Sequence, residues 1–355
     1  MKKEDYQNVG IFPIIDQGQA FIGGYTDDEN LVVTENLPVI IFGDHTKIFK
    51  YVDFPFTIGA DGVKVLTLKN KKDNALFYYY FLKSIKIVDK GYSRHFKYLK
   101  EKKLPVADYS DQLHIANILS KAESLIAQRK ESIRLLDEFL KSTFWELFGN
   151  GQNFEWELIE EVASKEKYAL SSGPFGSNLT SQHYTDTGVT ILRGTNITSG
   201  KLDLSNIKYI SEEKAIELKR SEVKPNDVVI IAVGSSGKAL LIPPTLPRAT
   251  MSQNFNKITP DKSKVEPIFL EYCINSNIVQ SQFRKKITDT VRTFLSLTSI
   301  KEIKIPVPPL ELQTQFAQIV EKTEVLKTQY QQSLQELENL YGSLSQKAFR
   351  GGVGN

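Results

Sequence analysis

One stretch of this chain occurs twice. Leu104–Leu119, LPVADYSDQLHIANIL, returns as Ile305–Val320, IPVPPLELQTQFAQIV, at an offset of 201 with no gap. Pro105, Val106, Gln112, Ala116 and Ile118 match Pro306, Val307, Gln313, Ala317 and Ile319, and upstream Lys100 and Lys103 match Lys301 and Lys304. Both copies run on as helix-forming sequence and end at Phe148 and Phe349, still in register. Self-similarity at a fixed offset means one unit built twice. Alternating steps of four and three from Ile115 land on Leu119, Ala122, Ile126, Arg129, Ile133, Leu136, Leu140, Thr143 and Leu147. The same steps from Phe316 land on Val320, Thr323, Lys327, Tyr330, Leu334, Leu337, Tyr341, Leu344 and Ala348. A mostly apolar 3.5-residue period held this long is a coiled-coil seam.

Arg129 and Lys327 interrupt the seam. Either their stems pack while their heads reach water, or they fix register and orientation. Each helix opens after a proline-containing extended segment and stops at glycine, Gly149-Asn150-Gly151 in one copy and Arg350-Gly351-Gly352 in the other, the expected punctuation. About 36 residues each gives ~54 Å at the α-helical rise. Two seams in one chain most simply pair with each other. A whole domain connects them, so the expectation is an antiparallel pair with a globular unit at either end of a rod. The alternative is two unrelated amphipathic helices, each packed on its own domain.

The sequence between the helices reads as strands. FPIIDQG, LPVIIFG and VKVLTLK in the first copy, and VTILRG, NDVVIIAVG and KALLIPP in the second, are branched apolar runs bounded by turn residues. Leu37–Gly43 followed by Asp44–Lys47 corresponds to Asp227–Gly234 followed by Ser235–Lys238. An aromatic, helix-like run follows in each copy, Ala75–Ser84 and Pro267–Ser276. The expected fold is α+β: two β-rich domains separated by two long helices that form an antiparallel coiled coil, in a pseudo-twofold tandem repeat. The boundaries are a shortened first β-rich domain at 1–104, a first helix at 105–150, a second β-rich domain at 151–304 and a second helix at 305–355. The shortening is read from Trp156–Thr190, about 35 residues that precede the first repeat strand of the second copy and have no counterpart in the first.

A chain of 355 residues with 41% hydrophobic and 25% charged residues has enough apolar surface for two or more cores. Its longest candidate membrane run, Val228–Val233, is strand-sized against the ~20 residues a span needs. Met1–Tyr6 is charged with no apolar stretch behind it, unlike a secretory leader, so a cytoplasmic location is expected. A net charge of +3 permits a polyanionic partner without announcing one. The single cysteine, Cys273, excludes an internal disulfide framework and is read as a small buried apolar residue. His45, His95, His114 and His183 do not pair at metal-ligand spacing. Gly234–Lys238, GSSGK, fails the phosphate-loop pattern, with Ala232 where the first glycine belongs and Ala239 where serine or threonine belongs. Neither a dinucleotide fingerprint, a nucleophile elbow, a methyltransferase motif nor a helicase motor set is present. The chain is therefore expected to be non-catalytic, with no cofactor of its own and no metal.

The tandem layout, the IPVPPLELQTQFAQIV lead-in at Ile305–Val320 and SGPFGSNL at Ser172–Leu179 resemble the specificity (S) subunit of type I restriction-modification enzymes. RGTNI at Arg193–Ile197, VVIIAVGSSGK at Val228–Lys238 and MSQNF at Met251–Phe255 reinforce the resemblance, which covers essentially the whole chain. It implies that each β-rich unit is a target recognition domain for one half of a split DNA site. The long helices would be spacers holding two methyltransferase (M) subunits, and S would carry no catalytic residues. It further implies adenine methylation with S-adenosylmethionine bound by the M subunits, and a restriction (R) subunit that uses ATP and Mg. Self-association through the spacer helices is a further expectation. The first copy departs from the pattern: it has neither a GPFGS segment nor the opening tryptophan strand, and VADYSDQ stands where the second copy has VPPLELQ.

Base reading needs polar side chains on loops aimed into a groove, with cations on the phosphates. In the second domain the candidate loops are Asn178–Tyr184, Arg193–Lys201, Ser235–Lys238 and Arg248–Asn254. Gln182, Arg193, Gln253 and Asn254 suit bidentate base contacts; Lys201, Lys238 and Arg248 suit phosphates; Asn196, Ser235 and Ser236 are further DNA-binding candidates. In the first domain the candidates are Gln17, Gln19, His45, Lys47, Arg94 and Lys97. For each the plain alternative is a solvated loop residue. A rod of ~54 Å exceeds one DNA turn of ~34–36 Å, and the expected target has roughly 5–8 unread base pairs between its halves once tilt is allowed for. Two other readings stay open: a scaffold that joins proteins without DNA, and a self-contained modification enzyme.

Overall fold

The computed structural model describes residues 1–88, 91, 93–198, 201–233, 237–246, 248–288 and 294–350; for 198, 201, 287, 288 and 350 only the backbone is described. The chain divides into two compact units, Met1–Ile133 with Gln329–Asn355, and Arg134–Thr328. The division falls inside both long helices, so each unit is completed by half of each helix.

The first unit is built on two sheets. In one, Phe12–Ile15 lies between Gly24–Thr26 and Phe56–Ile58, antiparallel to the former and parallel to the latter, and Val32–Val33 closes the far edge. In the other, Val39–Gly43 is central, with Phe49–Val52 and Val63–Leu66 antiparallel on either side. Val39–Gly43 is buried along its whole length, which is why VIIFG is a continuous apolar run rather than an alternating one. The aromatic helix Ala75–Ser84 packs on this second sheet, with the Tyr79 ring 6.0 Å from that of Tyr51, and its Phe77 and Phe81 meet Phe349 of the second long helix.

The second unit repeats this plan. Val189–Leu192 is flanked by antiparallel Lys208–Ile210 and parallel Ala249–Met251, with Glu222–Val223 at the edge. Val228–Ile231 is flanked by Ala239–Leu241 and Phe255–Ile258, and the helix Pro267–Asn275 packs against this sheet as Ala75–Ser84 does in the first unit. Cys273 is buried in that helix, and burial pushes its thiol pKa well above the ordinary range.

The second unit has two features without a counterpart among the described residues of the first. Leu170–Ser172 adds a fourth strand beside Phe255–Ile258. Glu155–Leu158 pairs with Lys304–Val307, the strand that leads into the second long helix. In the first unit the matching segment Lys103–Val106 is not a strand, and Val106 stands 99% exposed.

The long helices are Tyr109–Phe148, 40 residues, and Leu310–Arg350, 41 residues. Both exceed the expected ~36 residues because they begin a turn before the first seam residue, directly after the extended lead-in. The end of the first helix is fixed by Gly149, whose φ of +53° ends the helix while its N–H bonds the Trp145 carbonyl. The other expected stop, Gly351-Gly352, lies outside the described residues. Every seam position is buried or half-buried. In the first unit Arg129 stacks over Tyr330, 4.2 Å from the ring centroid, and Lys130 pairs with Glu338 at 2.7 Å. In the second, Phe144 and Phe148 pack on Phe316, and Lys327 bonds Asp137. Residue numbers rise along one helix as they fall along the other, so the helices pack together antiparallel.

Lys327 is only 3% exposed. Its head does not reach water: it is held by Asp137 of the opposite helix and by Glu324. Burial works against its charge, but the two carboxylates outweigh that and hold its pKa above the usual lysine value. Asp137 is half-exposed, so part of the pair remains solvated.

The repeated glutamine has one job in both copies. Gln112 accepts from the Asn74 amide at 2.8 Å and donates to the Ala107 carbonyl and the Asp73 carboxylate. Gln313 accepts from the Glu266 amide at 2.9 Å and donates to the Lys264 and Pro308 carbonyls. Asn74 and Glu266 are the N-caps of the two aromatic helices. Each buried glutamine thus ties the start of a long helix to the start of the short helix it packs on.

Candidate nucleic-acid interface

In the second unit Val189–Leu192 and Ala249–Met251 run parallel, so their carboxyl ends lie side by side. The chain leaves those ends as Arg193–Asn196 and Ser252–Asn254, and crevices at such ends are where open sheets place ligands. The Ser252 amide bonds the Leu192 carbonyl at 2.8 Å, and the Asn254 amide group lies 3.4 Å from the position a Gly194 Cβ would take. The Asn254 carbonyl accepts from Ala232 and so draws in the hairpin that carries Lys238. Lys238 is exposed. Lys201 lies on the strand Lys201–Leu202, which pairs with Ile197–Thr198 directly after Asn196.

The structure therefore gathers Arg193, Asn196, Lys201, Lys238, Gln253 and Asn254 at one end of the sheets. Two of these have work within the chain. Asn196 is buried, and its amide donates to the Asp203 and Asn206 carbonyls while accepting from the Arg193 amide at 3.1 Å. Arg193 donates from Nη2 to the Asn206 carbonyl at 2.6 Å, and its Nε is buried without a hydrogen-bond partner, as is Ser252 Oγ.

Two other sequence candidates lie elsewhere. Arg248 precedes the strand Ala249–Met251 instead of following it, and its guanidinium is held by Glu212 at 2.9 Å and Glu222 at 3.1 Å. Gln182 sits on the exposed turn Ser181–His183, ahead of Val189–Leu192. Ser235 and Ser236 lie outside the described residues.

The first unit brings its candidates together by the same topology. Phe12–Ile15 and Phe56–Ile58 are parallel and end together. Gln17 follows the first of them, donates to the Asp61 carbonyl at 2.8 Å and accepts from the His45 amide at 3.1 Å. His45 and Lys47 stand in the turn between Val39–Gly43 and Phe49–Val52, where Lys47 has a φ of +63°. Arg94 is exposed beside His95, whose buried ring and backbone N–H both bond the Asp44 carbonyl. Gln19 is exposed two residues beyond Gln17, and Lys97 stands over the Tyr98 ring. Among the described residues no cluster of three or more His, Cys, Asp or Glu could hold a metal ion, and no helix is long and apolar enough to cross a membrane.

The model of the type I restriction modification DNA specificity domain matches residues 1–135 and 178–339. The chain belongs to that family. As a specificity subunit it serves DNA recognition and not catalysis. It is 24% identical over 352 residues to the EcoR124I/EcoR124II specificity subunit of Escherichia coli, covering 92% of this chain and 82% of that one. It is 27% identical over 168 residues to the EcoBI specificity subunit of the same organism, covering 46% of this chain and only 35% of that relative. The S subunit of a type I restriction-modification system from M. genitalium superposes with a TM-score of 0.65 at 18% identity, over 98% of this chain and 91% of that one. The last comparison speaks for the fold: two β-rich units and two long helices packed together.

Sequence reasoning missed how two residues of this specificity subunit are used. Asn196 looks like any loop asparagine, and only the fold shows it turned inward. Arg248 looks like a free cation, and its acidic partners Glu212 and Glu222 are 36 and 26 residues away.

Proposed function

We propose that this chain reads a bipartite double-stranded DNA target, one half with each β-rich unit, within a type I restriction-modification complex. The observation that carries the reading is the duplicated arrangement. In both units a parallel pair of strands ends beside a hairpin turn, and the polar side chains collect there. The long helices hold two methyltransferase subunits. Leu135, Phe139 and Trp145 are large, exposed and off the seam of the first helix, which suits a protein contact. S-adenosylmethionine belongs to those methyltransferase subunits, ATP and Mg to a restriction subunit, and the complex works in the cytoplasm. The helices act as the spacer between half-sites.

The test is to map methylated bases in a host expressing this chain with its methyltransferase subunit, against a host with that subunit alone. A new split motif carrying methyladenine is the expected result. A palindromic motif points to two chains each using one working unit. No new methylation, together with no sequence preference of the purified complex for any duplex, would favour the protein-only scaffold.

A further inference from the structure

The segment Gly173–Leu179 is anchored at both ends and bare at its tip. The Gly173 amide bonds the Phe255 carbonyl at 2.9 Å, and Gly173 runs so close to Ser252 that a Cβ there would fall on the Ser252 carbonyl. Pro174 is buried, and Leu179 packs on the cluster of Val189 and Ile191. Between them the chain makes a tight turn, closed by the Asn178 amide on the Phe175 carbonyl at 3.2 Å, with Gly176 at a φ of +57° that favours glycine. Phe175 is the first residue of the turn and is 61% exposed. A phenylalanine on an anchored turn is a side chain held out at little entropic cost.

Its surroundings choose the partner. Phe175 stands two residues from the contact with Ser252, on the same end of the sheets as Arg193, Gln253 and Asn254. From Ser171 to Gln182, from Leu192 to Thr198 and from Thr250 to Asn256 there is no aspartate or glutamate. Hydrogen-bonding segments without acids of their own suit a polyanion; Asp203 meets them at Asn196 through its backbone N–H and carbonyl. One ring among small polar residues is far from the ~800 Å² per partner of a stable protein interface. It does match the apolar wedges that DNA-binding proteins place against or between bases.

We propose that Phe175 is a base-contacting residue of the second unit, its ring packing on a nucleobase of that unit's half-site while the polar loops beside it read base edges. The proposal rests on the DNA-recognition reading. It is tested in the full chain assembled with its methyltransferase subunits, on the duplex that wild type selects from a random pool. Phe175→Ser should weaken binding to that duplex about tenfold or more, with binding to unrelated duplexes, the salt dependence and the thermal unfolding unchanged. Phe175→Tyr should keep most of the affinity. A 2-aminopurine placed in the half-site should brighten on wild-type binding and less so with Phe175→Ser. Wild-type affinity in Phe175→Ser overturns the proposal. So does an equal loss on all duplexes, or a failure to assemble with the methyltransferase subunits, which would make the ring a protein contact. A wild-type complex with no sequence preference overturns the DNA reading itself and the proposal with it.

Discussion

Among the titratable side chains, Glu271 shows most plainly how position sets chemistry. It lies on the helix Pro267–Asn275, and burial pushes its carboxyl up to about 7, with Glu324 and Glu266 adding to the rise against a hydrogen bond from the Leu241 backbone. A carboxyl whose folded pKa lies above its unfolded value binds protons more readily when folded. Stability from this group is therefore fully present below about 4.5 and is lost as pH climbs to about 7. Glu271→Gln should flatten the fall in stability across that window and leave the variant more stable than wild type at pH 8, measured by urea denaturation at several pH values. An unchanged slope would place the pH dependence elsewhere. Single residues were the least legible scale in the sequence. Lys327 broke the heptad pattern, and nothing local said whether its ammonium met water or Asp137, because the partner lies 190 positions away in the chain. Asn196 and Arg248 were opaque for the same reason.

Elements were far more legible. All six apolar runs singled out as strands form strands; four of them, Phe12–Ile15, Val39–Gly43, Val189–Leu192 and Val228–Ile231, lie inside their sheets, where burial demands branched apolar residues, and Val63–Leu66 and Ala239–Leu241 lie at edges. Both aromatic helices fall where the sequence put them, at Ala75–Ser84 and Pro267–Asn275. The short strands Val32–Val33, Glu222–Val223 and Gly24–Thr26 went unread, since two or three residues carry no period. Gln112 and Gln313 stood out only as matched letters in a repeat. The fold supplies the reason, which is that each closes the corner between a long helix and a short one. Gln313→Ala strands the Glu266 amide and two carbonyls, and should cost about 1–3 kcal/mol. Denaturation reads the loss, and hydrogen exchange should quicken first at the Glu266 and Phe269 amides. If exchange there is unchanged, the glutamine is not the tie.

At the scale of the whole molecule, the repeat and its 3.5-residue period were enough to anticipate two β-rich units and two antiparallel helices, because a seam that long needs a partner seam. The compact units are cut inside the helices, after Ile133 and Thr328, because each part of a long helix belongs to the core it packs on. If the helices set the distance between half-sites, removing one heptad from each, on facing segments, should shorten the unread gap in the methylated motif or abolish methylation. An identical motif after that deletion would refute the ruler. The pairing of Glu155–Leu158 with Lys304–Val307 has a consequence for inheritance. The globular part of the second unit is an unbroken stretch whose two ends are zipped together, Trp156 opposite Pro306. A foreign stretch that closes the same two-stranded ribbon and keeps the face that meets Gln313, Phe148 and Phe316 could be spliced in with the helices left as they are. A lineage could then acquire a new DNA address in one recombination event and keep the frame that carries it.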